Sequence, residues 1–500
     1  MHNIPVRAIG NPFRFTKEQT MITGKQLIDN GWPQGKVIGL ALTAATNLNL
    51  PDDEALIKLE EVRAYPGRFL ADSILEPLAR EWLHVTAQRT IPTDDLRDRP
   101  VPIHSWGRSM IDQEAIDQME RAARLPIAVQ TAVMPDAHVG YGLPIGGVLA
   151  AENAVIPYGV GVDIACRMRI TICAISPYYL DQKRTKFQEA LLQQTRFGMG
   201  AEWEQRLRPY HPVMDRPEWE AIPLLQRLKG KAWAQLGTSG GGNHFVEWGL
   251  LEMTEGVPEL NLTAGKYIAL LSHSGSRGLG ANVATHYTKV AQQQHPKLEK
   301  GYKELAWLHL DSSSGAEYWL AMNLAGEYAS ANHAVIHERV LAAVGLEAAA
   351  HVENHHNFAW KEQLADGGEV IVHRKGATPA GAGVLGVIPG SMGDPGYVVR
   401  GLGNADSINS ASHGAGRKLG RKQAFAKLDP KQWQKLLNNR NITLLGGSLD
   451  EAPQAYKDID QVMAAQADLV EVVAKFTPRI VRMAEDRPPK WAKKGRKRRQ

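Results

Sequence analysis

Apolar positions in the first hundred residues recur three and four apart, which predicts short helices over about 24–28, 36–42 and 53–62, punctuated by Pro33 and Pro51. Residues 1 to about 20 lack that periodicity and read as an unstructured arm. From about 101 the pattern changes to short strands that end in glycine-rich polar turns. Residues 167–172 alternate as a half-buried strand does, 266–271 run into Ser272-His273-Ser274-Gly275-Ser276-Arg277-Gly278, and 369–372 run into His373-Arg374-Lys375-Gly376. Helical spacing returns at about 111–124, 184–195, 315–345 and 452–474, and the Trp-, Arg- and Pro-rich stretch 198–232 reads as a surface excursion. No internal repeat of solenoid period is present. The expectation is an α+β protein: a small helical extension over 1–100, one large catalytic domain over 101–483, and a basic tail over 484–500.

Charge alters this picture at one place. The segment from Arg487 onward carries eight Lys/Arg and no Asp/Glu; removing those eight charges from the net +5 leaves the rest of the chain at −3. Such a tail suits a polyanion such as RNA, or simply a solvated end. No run of eighteen apolar residues exists, so no membrane association is expected. The N-terminus lacks the apolar core of a secretory signal. Two cysteines, Cys166 and Cys173, form no disulfide framework and fit a reducing, cytoplasmic setting.

Candidate chemistry gathers on the turns. Asp163 and Cys166 follow a glycine-rich turn; His244, His273 and His356 each sit on a polar or glycine-rich turn of their own. Taken singly, a free cysteine is most often core packing, as Cys173 is expected to be, and a lone histidine is most often a hydrogen-bonded structural residue. Together, a carboxylate, a thiolate and three imidazoles can hold one or two divalent ions, with Mn, Fe, Co or Zn suited to mixed S/N/O ligation. No P-loop motif is present. Turns such as 240–243, 274–278, 373–378 and 389–393 could instead cradle anions, with Arg277, Arg374 and Lys375 adding charge. His413, in the string His413-Gly414-Ala415-Gly416-Arg417, is the candidate nucleophile toward phosphorus.

These strings, with Met134-Pro135-Asp136-Ala137-His138, Gly140-Tyr141-Gly142, Gly161-Val162-Asp163-Ile164-Ala165-Cys166, Gly242-Asn243-His244-Phe245, His356-Asn357, Pro389-Gly390-Ser391-Met392-Gly393 and Glu451-Ala452-Pro453-Gln454-Ala455-Tyr456-Lys457, occur in order over about 101–480. In this the chain resembles the RtcB-type RNA-splicing ligases. The resemblance implies two Mn(II) ions bridged by Cys166, with Asp163 and His244 on one and His273 and His356 on the other. It implies GTP held by Asn243, His244, Phe245, Val246, Glu247, His356, Asn357, Pro389, Gly390, Ser391, Met392, His413, Gly414, Ala415, Gly416 and Tyr456, with Asp136 an acidic residue near the metals. His413 would be guanylylated, and the GMP passed to a 3′-phosphate RNA end, itself opened from a 2′,3′-cyclic phosphate, before a 5′-hydroxyl end displaces it. RNA and GTP are the implied partners, with a helper protein for turnover, and a monomer is expected. Pro379, Gly396 and Ser412 depart from the family pattern. So does the end of the chain, where the family closes on a lysine that reaches the guanine; Arg482 is the candidate replacement. Two other readings follow from the same residues: an enzyme that only caps RNA 3′ ends, and a non-catalytic RNA-binding protein on the same scaffold.

Overall fold

The computed structural model describes residues 22–33, 35–87, 95–364 and 367–485. The arm expected over 1–20 and the tail beyond Glu485 lie outside them. Two compact units are divided between Val85 and Thr86.

The N-terminal unit is helical. Thr23 caps Gly24–Asp29 by accepting from the Gln26 amide at 3.2 Å. Lys36–Leu48 runs longer than its apolar spacing predicts and stops at Asn49, whose left-handed backbone (φ 51°) ends it. Asp52–Ala64 follows Pro51, and Glu76–Ala87 is a further helix that the sequence pattern did not single out. Leu27, Val37, Ala41, Leu59, Val62 and Leu83 are buried.

The second unit is built on two sheets. A five-stranded sheet has the order Ile103–Ser105, Ala128–His138, Ile145–Ala151, Glu369–Lys375, Asn357–Gln363. The larger sheet runs Leu385–Ile388, Gly396–Gly401, Val470–Met483, Phe245–Met253, Gly265–Ser274, Arg167–Cys173, Ala350–His355, with Thr443–Leu445 added in parallel to Val470–Met483. The long helix Ser313–Val344 covers one face: Ile336, Val340 and Val344 join Trp248, Ile268, Leu270, Phe187 and Cys173 in one apolar cluster. Cys173 is the packing residue expected, and burial pushes its thiol up to about 12.

The larger sheet decides where the chemistry goes. Neighbouring strands are antiparallel, with Phe245 opposite His273, Met168 opposite His273, and Arg167 opposite His355. The starts of two strands and the ends of two others therefore share one edge. Cys166 and His244 precede strand starts there, and His273 and His356 lie at or just past strand ends.

Helices occur at Gln113–Ala123, Arg184–Gln194 and Ser313–Val344, close to the expected spans. Two expectations are corrected. The helix expected over 452–474 is only Ile459–Ala464; from Val470 the chain is a strand, rich in β-branched residues and alternating in burial beyond Ala474. The stretch 198–232 is not a mere surface excursion. Trp203 and Trp219 are buried and donate their ring N–H groups to the Gly237 and Val213 carbonyls, at 3.2 and 2.8 Å, and 223–232 belong to the helix Pro223–Gln235.

Candidate active site

Four separate segments deliver side chains to the shared sheet edge. Cys166 Sγ lies 3.1 Å from His273 Nε2 and 3.5 Å from His244 Nε2. His244 Nε2 is 2.9 Å from Asp163 Oδ2, and His273 Nε2 is 3.2 Å from His356 Nε2. The ligand atoms of Cys166, His244 and His273 all lie within 4.8 Å of one another. The backbone is bent to achieve this. Ala165, just before Cys166, adopts φ 56°, a left-handed conformation that side chains rarely occupy. Gly240 and Gly275 must be glycine, because a Cβ would overlap the His244 ring and the Asp163 carboxylate respectively. Asn357 ties the Asp163 turn to its neighbours, donating to the Asp163 carbonyl at 3.3 Å and accepting from the Gly376 amide at 2.8 Å.

The electrostatics suit a cation. The Asn243 carbonyl can only accept, so His273 donates Nδ1–H to it (3.0 Å) and turns the lone pair of Nε2 toward Cys166. Burial, followed by the like charges of neighbouring imidazoles, holds His273 and His356 well below the usual imidazole range. Burial would raise the Asp163 carboxyl, but the hydrogen bond and charge of His244 prevail and lower it. Burial, with the charge of Asp163, pushes the Cys166 thiol well above its ordinary value. Imidazoles and a carboxylate around a thiol form a donor set for a borderline divalent ion, and the buried His356 Nδ1 has no hydrogen-bond partner among the described residues. Cys166, His244 and His273 thus fit a metal as a group, with Asp163 against His244 and His356 against His273.

His413 stands beside this cluster, its ring centroid 4.8 Å from that of His356. Its Nδ1 is 2.7 Å from Asp136 Oδ2, which also accepts from the His413 and Gly414 amides at 3.1 and 3.3 Å. Asp136 is fully buried, and Lys457 braces its strand by donating to the Pro135 and Ala137 carbonyls at 3.0 and 2.7 Å. Two glycines permit the approach. A Cβ on Gly416 (φ 70°) would overlap the Asp136 carbonyl, and one on Gly376 (φ 62°) would press on Ile145 and the His413 ring. A carboxylate that accepts fixes the Nδ1–H tautomer and leaves Nε2 with its lone pair.

His413 opens into a cavity of about 730 Å³. Of the residues singled out for nucleotide binding, Asn243, Phe245, Pro389, Gly390, Ser391, Met392, Gly414, Ala415, Gly416 and Tyr456 line it with His413. His244, His356 and Asn357 lie in or against the ligand cluster instead. Val246 faces the apolar core beside Trp248, and Glu247 is buried, its carboxyl raised well above the usual range by burial alone. One cavity wall is ionic: Arg417 donates to Glu451 at 2.9 Å and to the Asp450 carbonyl at 2.7 Å, Arg421 bridges Asp450 and Glu451 at 2.7 and 2.8 Å, and the Tyr456 hydroxyl donates to Glu451.

Three expected phosphate or base contacts are not available. Arg374 is fully buried, with its guanidinium held by Glu362 and by Ser410 Oγ at 2.7 Å. Lys375 is also buried and donates to the Tyr141 and Tyr158 carbonyls. Arg482 faces away from the cavity: it donates to the Leu445 carbonyl at 3.1 Å, and its strand neighbour Met483 lines the cavity. The sequence reading placed Asp136 near the metals but missed its bond to His413, and it gave Lys457 no role.

The sequence model of the family described as "tRNA-splicing ligase RtcB" matches residues 118–484. The chain is 33% identical over 405 residues to the RNA-splicing ligase RtcB of Escherichia coli K12, covering 74% of this chain and 95% of that one. It is 30% identical over 466 residues to the tRNA-splicing ligase RtcB of Thermococcus kodakarensis, with 78% and 95% covered. It is also 30% identical over 428 residues to the RNA-splicing ligase RtcB of Mycobacterium bovis, with 72% and 98% covered. With the ligand cluster and His413 at one sheet edge, and a family match over most of its length, the chain belongs to the RtcB family.

Proposed function

We propose that the protein is an RNA ligase that uses GTP and Mn(II) to join a 3′-phosphate or 2′,3′-cyclic phosphate RNA end to a 5′-hydroxyl end, through a GMP carried on His413. The observation that carries this reading is the His413–Asp136 pair at 2.7 Å, placed beside a five-residue metal-fitting cluster and open to a nucleotide-sized cavity. Asp163, Cys166, His244, His273 and His356 are the residues that would hold the metal. Bound there, the ions supply positive charge to the phosphates.

Asp136 keeps the proton of His413 on Nδ1, so that Nε2 attacks the α-phosphorus of GTP. A P–N bond forms as the bond to pyrophosphate breaks. An oxygen of the RNA 3′-phosphate then takes the GMP, the P–N bond breaks, and the 5′-hydroxyl of the second RNA attacks the activated phosphate and expels GMP. The backbone of 390–392 and of 415–416, which lines the cavity, would meet the nucleotide.

Incubation with α-labelled GTP and Mn(II), followed by a denaturing gel, tests the reading. An acid-labile protein label that His413→Ala abolishes, together with joined RNA, is the expected result. Label that survives His413→Ala overturns the nucleophile, and label without joined RNA favours end capping.

A further inference from the structure

Tyr141 is the most exposed of the apolar side chains that line the cavity. Its side chain is 66% exposed although it lines the same cavity as His413, and its neighbour Val139 is 38% exposed. An exposed aromatic usually sits on a loose loop, but here the backbone around it is tied down. Gln118 accepts from the Gly140 amide at 3.0 Å and donates to the Gly140 carbonyl at 2.7 Å. Glu304 accepts from the Gly142 amide at 2.8 Å. The buried ammonium of Lys375 donates to the Tyr141 carbonyl. The flanking glycines are sterically required: a Cβ on Gly140 would press on the Leu143 carbonyl, and one on Gly142 (φ 70°) on the Glu304 carbonyl. The Tyr158 ring supports Tyr141 from one side, with centroids 6.1 Å apart and planes inclined by 44°. The fold therefore fixes a flat apolar surface at the cavity without covering it, at the cost of leaving an aromatic ring in water.

We propose that Tyr141 is a stacking platform for the terminal nucleobase of an RNA end brought to His413. This rests on the ligase reading and names a contact that the reaction needs. Any RNA sequence must present its end to the same phosphorus, and stacking accepts every base because each has a π-face. A pre-fixed ring spends little ordering entropy when the base arrives.

The test uses the full-length protein and short RNAs carrying 2-aminopurine as the terminal base, on a 3′-phosphate strand in one arm and a 5′-hydroxyl strand in the other. The wild type quenches the fluorescence in one arm. Tyr141→Ala loses that quench and raises KM for the RNA roughly 5- to 150-fold with little change in kcat, the range that removing a stacking residue gives. Tyr141→Trp restores both, and a circular dichroism melt verifies that each variant is folded. A wild type that quenches in neither arm, or a Tyr141→Ala variant with wild-type KM and quench, overturns the platform. A wild type that neither joins RNA nor takes GMP label overturns the ligase reading instead, so the two failures are distinguishable.

Discussion

Two walls of the candidate active site solve opposite problems. At the sheet edge, Cys166, His244, His273 and His356 are buried with their ligand atoms turned on one another. On the other wall, Arg417, Arg421, Asp450, Glu451 and Tyr456 are equally charged or polar but satisfied among themselves. The first arrangement turns several electron pairs on one point, a donor set that could hold a metal ion. The second holds its own counter-charges, so it shapes the cavity and offers little free charge to a ligand. The difference teaches that a polar residue beside an active cavity is informative only once its partners are known: Arg374 and Lys375 have the right chemistry for phosphate and are consumed by the scaffold.

The largest expected effect breaks the first wall. Cys166→Ala removes the sulfur that touches both His244 and His273, and is expected to leave no Mn(II) bound after gel filtration and no GMP label; metal retained at wild-type stoichiometry would refute the central place of Cys166. The same residue sets a pH sign. In the ion-free protein, burial and Asp163 hold the thiol protonated well above its ordinary range, so capture of an ion as thiolate releases a proton. Metal affinity should therefore rise with pH across the neutral range, and calorimetry in buffers of different ionisation enthalpy should detect the released proton.

Next in size is Asp136→Asn. Because the same Asp136 oxygen accepts from the His413 and Gly414 amides, Asn keeps its carbonyl there and still accepts Nδ1–H, but the negative charge that would stabilise His413 as it takes up GMP is lost, while the ligand cluster is untouched. Labelling should slow on the order of 10²- to 10⁴-fold with Mn(II) content unchanged. A parallel loss of metal would instead make Asp136 part of the first wall.

The second wall responds in stability. Glu451 is almost wholly buried and neutralises two guanidinium groups, so Glu451→Ala should cost about 3–5 kcal/mol in urea unfolding, as removing one partner of a buried pair does. Arg421 leaves 52% of its side chain exposed, and Arg421→Ala should cost no more than about 1 kcal/mol. Equal costs would show that the wall is not organised around the carboxylate.

Much of this site was legible because its residues announce local geometry. Asp163, Cys166 and His244 sit on turns, the structure requires glycine at Gly240 and Gly275 beside His244 and His273, and the strand signals at 167–172 and 266–271 foretold the strands next to them. The long helix Ser313–Val344 followed from its spacing alone. What stayed hidden was pairing at a distance. Asp136 and His413 are 277 residues apart, and nothing local to either string predicts a 2.7 Å bond. The strand from Val470 was hidden for a related reason: its pairing with Phe245–Met253 on one side and Gly396–Gly401 on the other selects extended backbone where the sequence reading extended a helix to 474. The same pairing fixes which side chains of its last turn-ward residues face the cavity.

That register carries the smallest prediction. Strand alternation sends Met483, opposite Phe245, to the cavity and Arg482, opposite Val246, to the other side, where its guanidinium meets the Leu445 carbonyl and lies 5.6 Å over the Phe197 ring. For Arg482 to contact a guanine, the strand would have to slip by one residue, which would drive its apolar set off the core. Arg482→Ala should therefore cost about 1 kcal/mol of stability from the lost hydrogen bond and change KM for GTP, and the preference for GTP over ATP, less than about twofold. The measurement is labelling by each nucleotide over a concentration series. A selective loss of GTP use in Arg482→Ala would mean that the arginine swings into the cavity when nucleotide binds, and that the self-satisfied wall is not the whole of the base site.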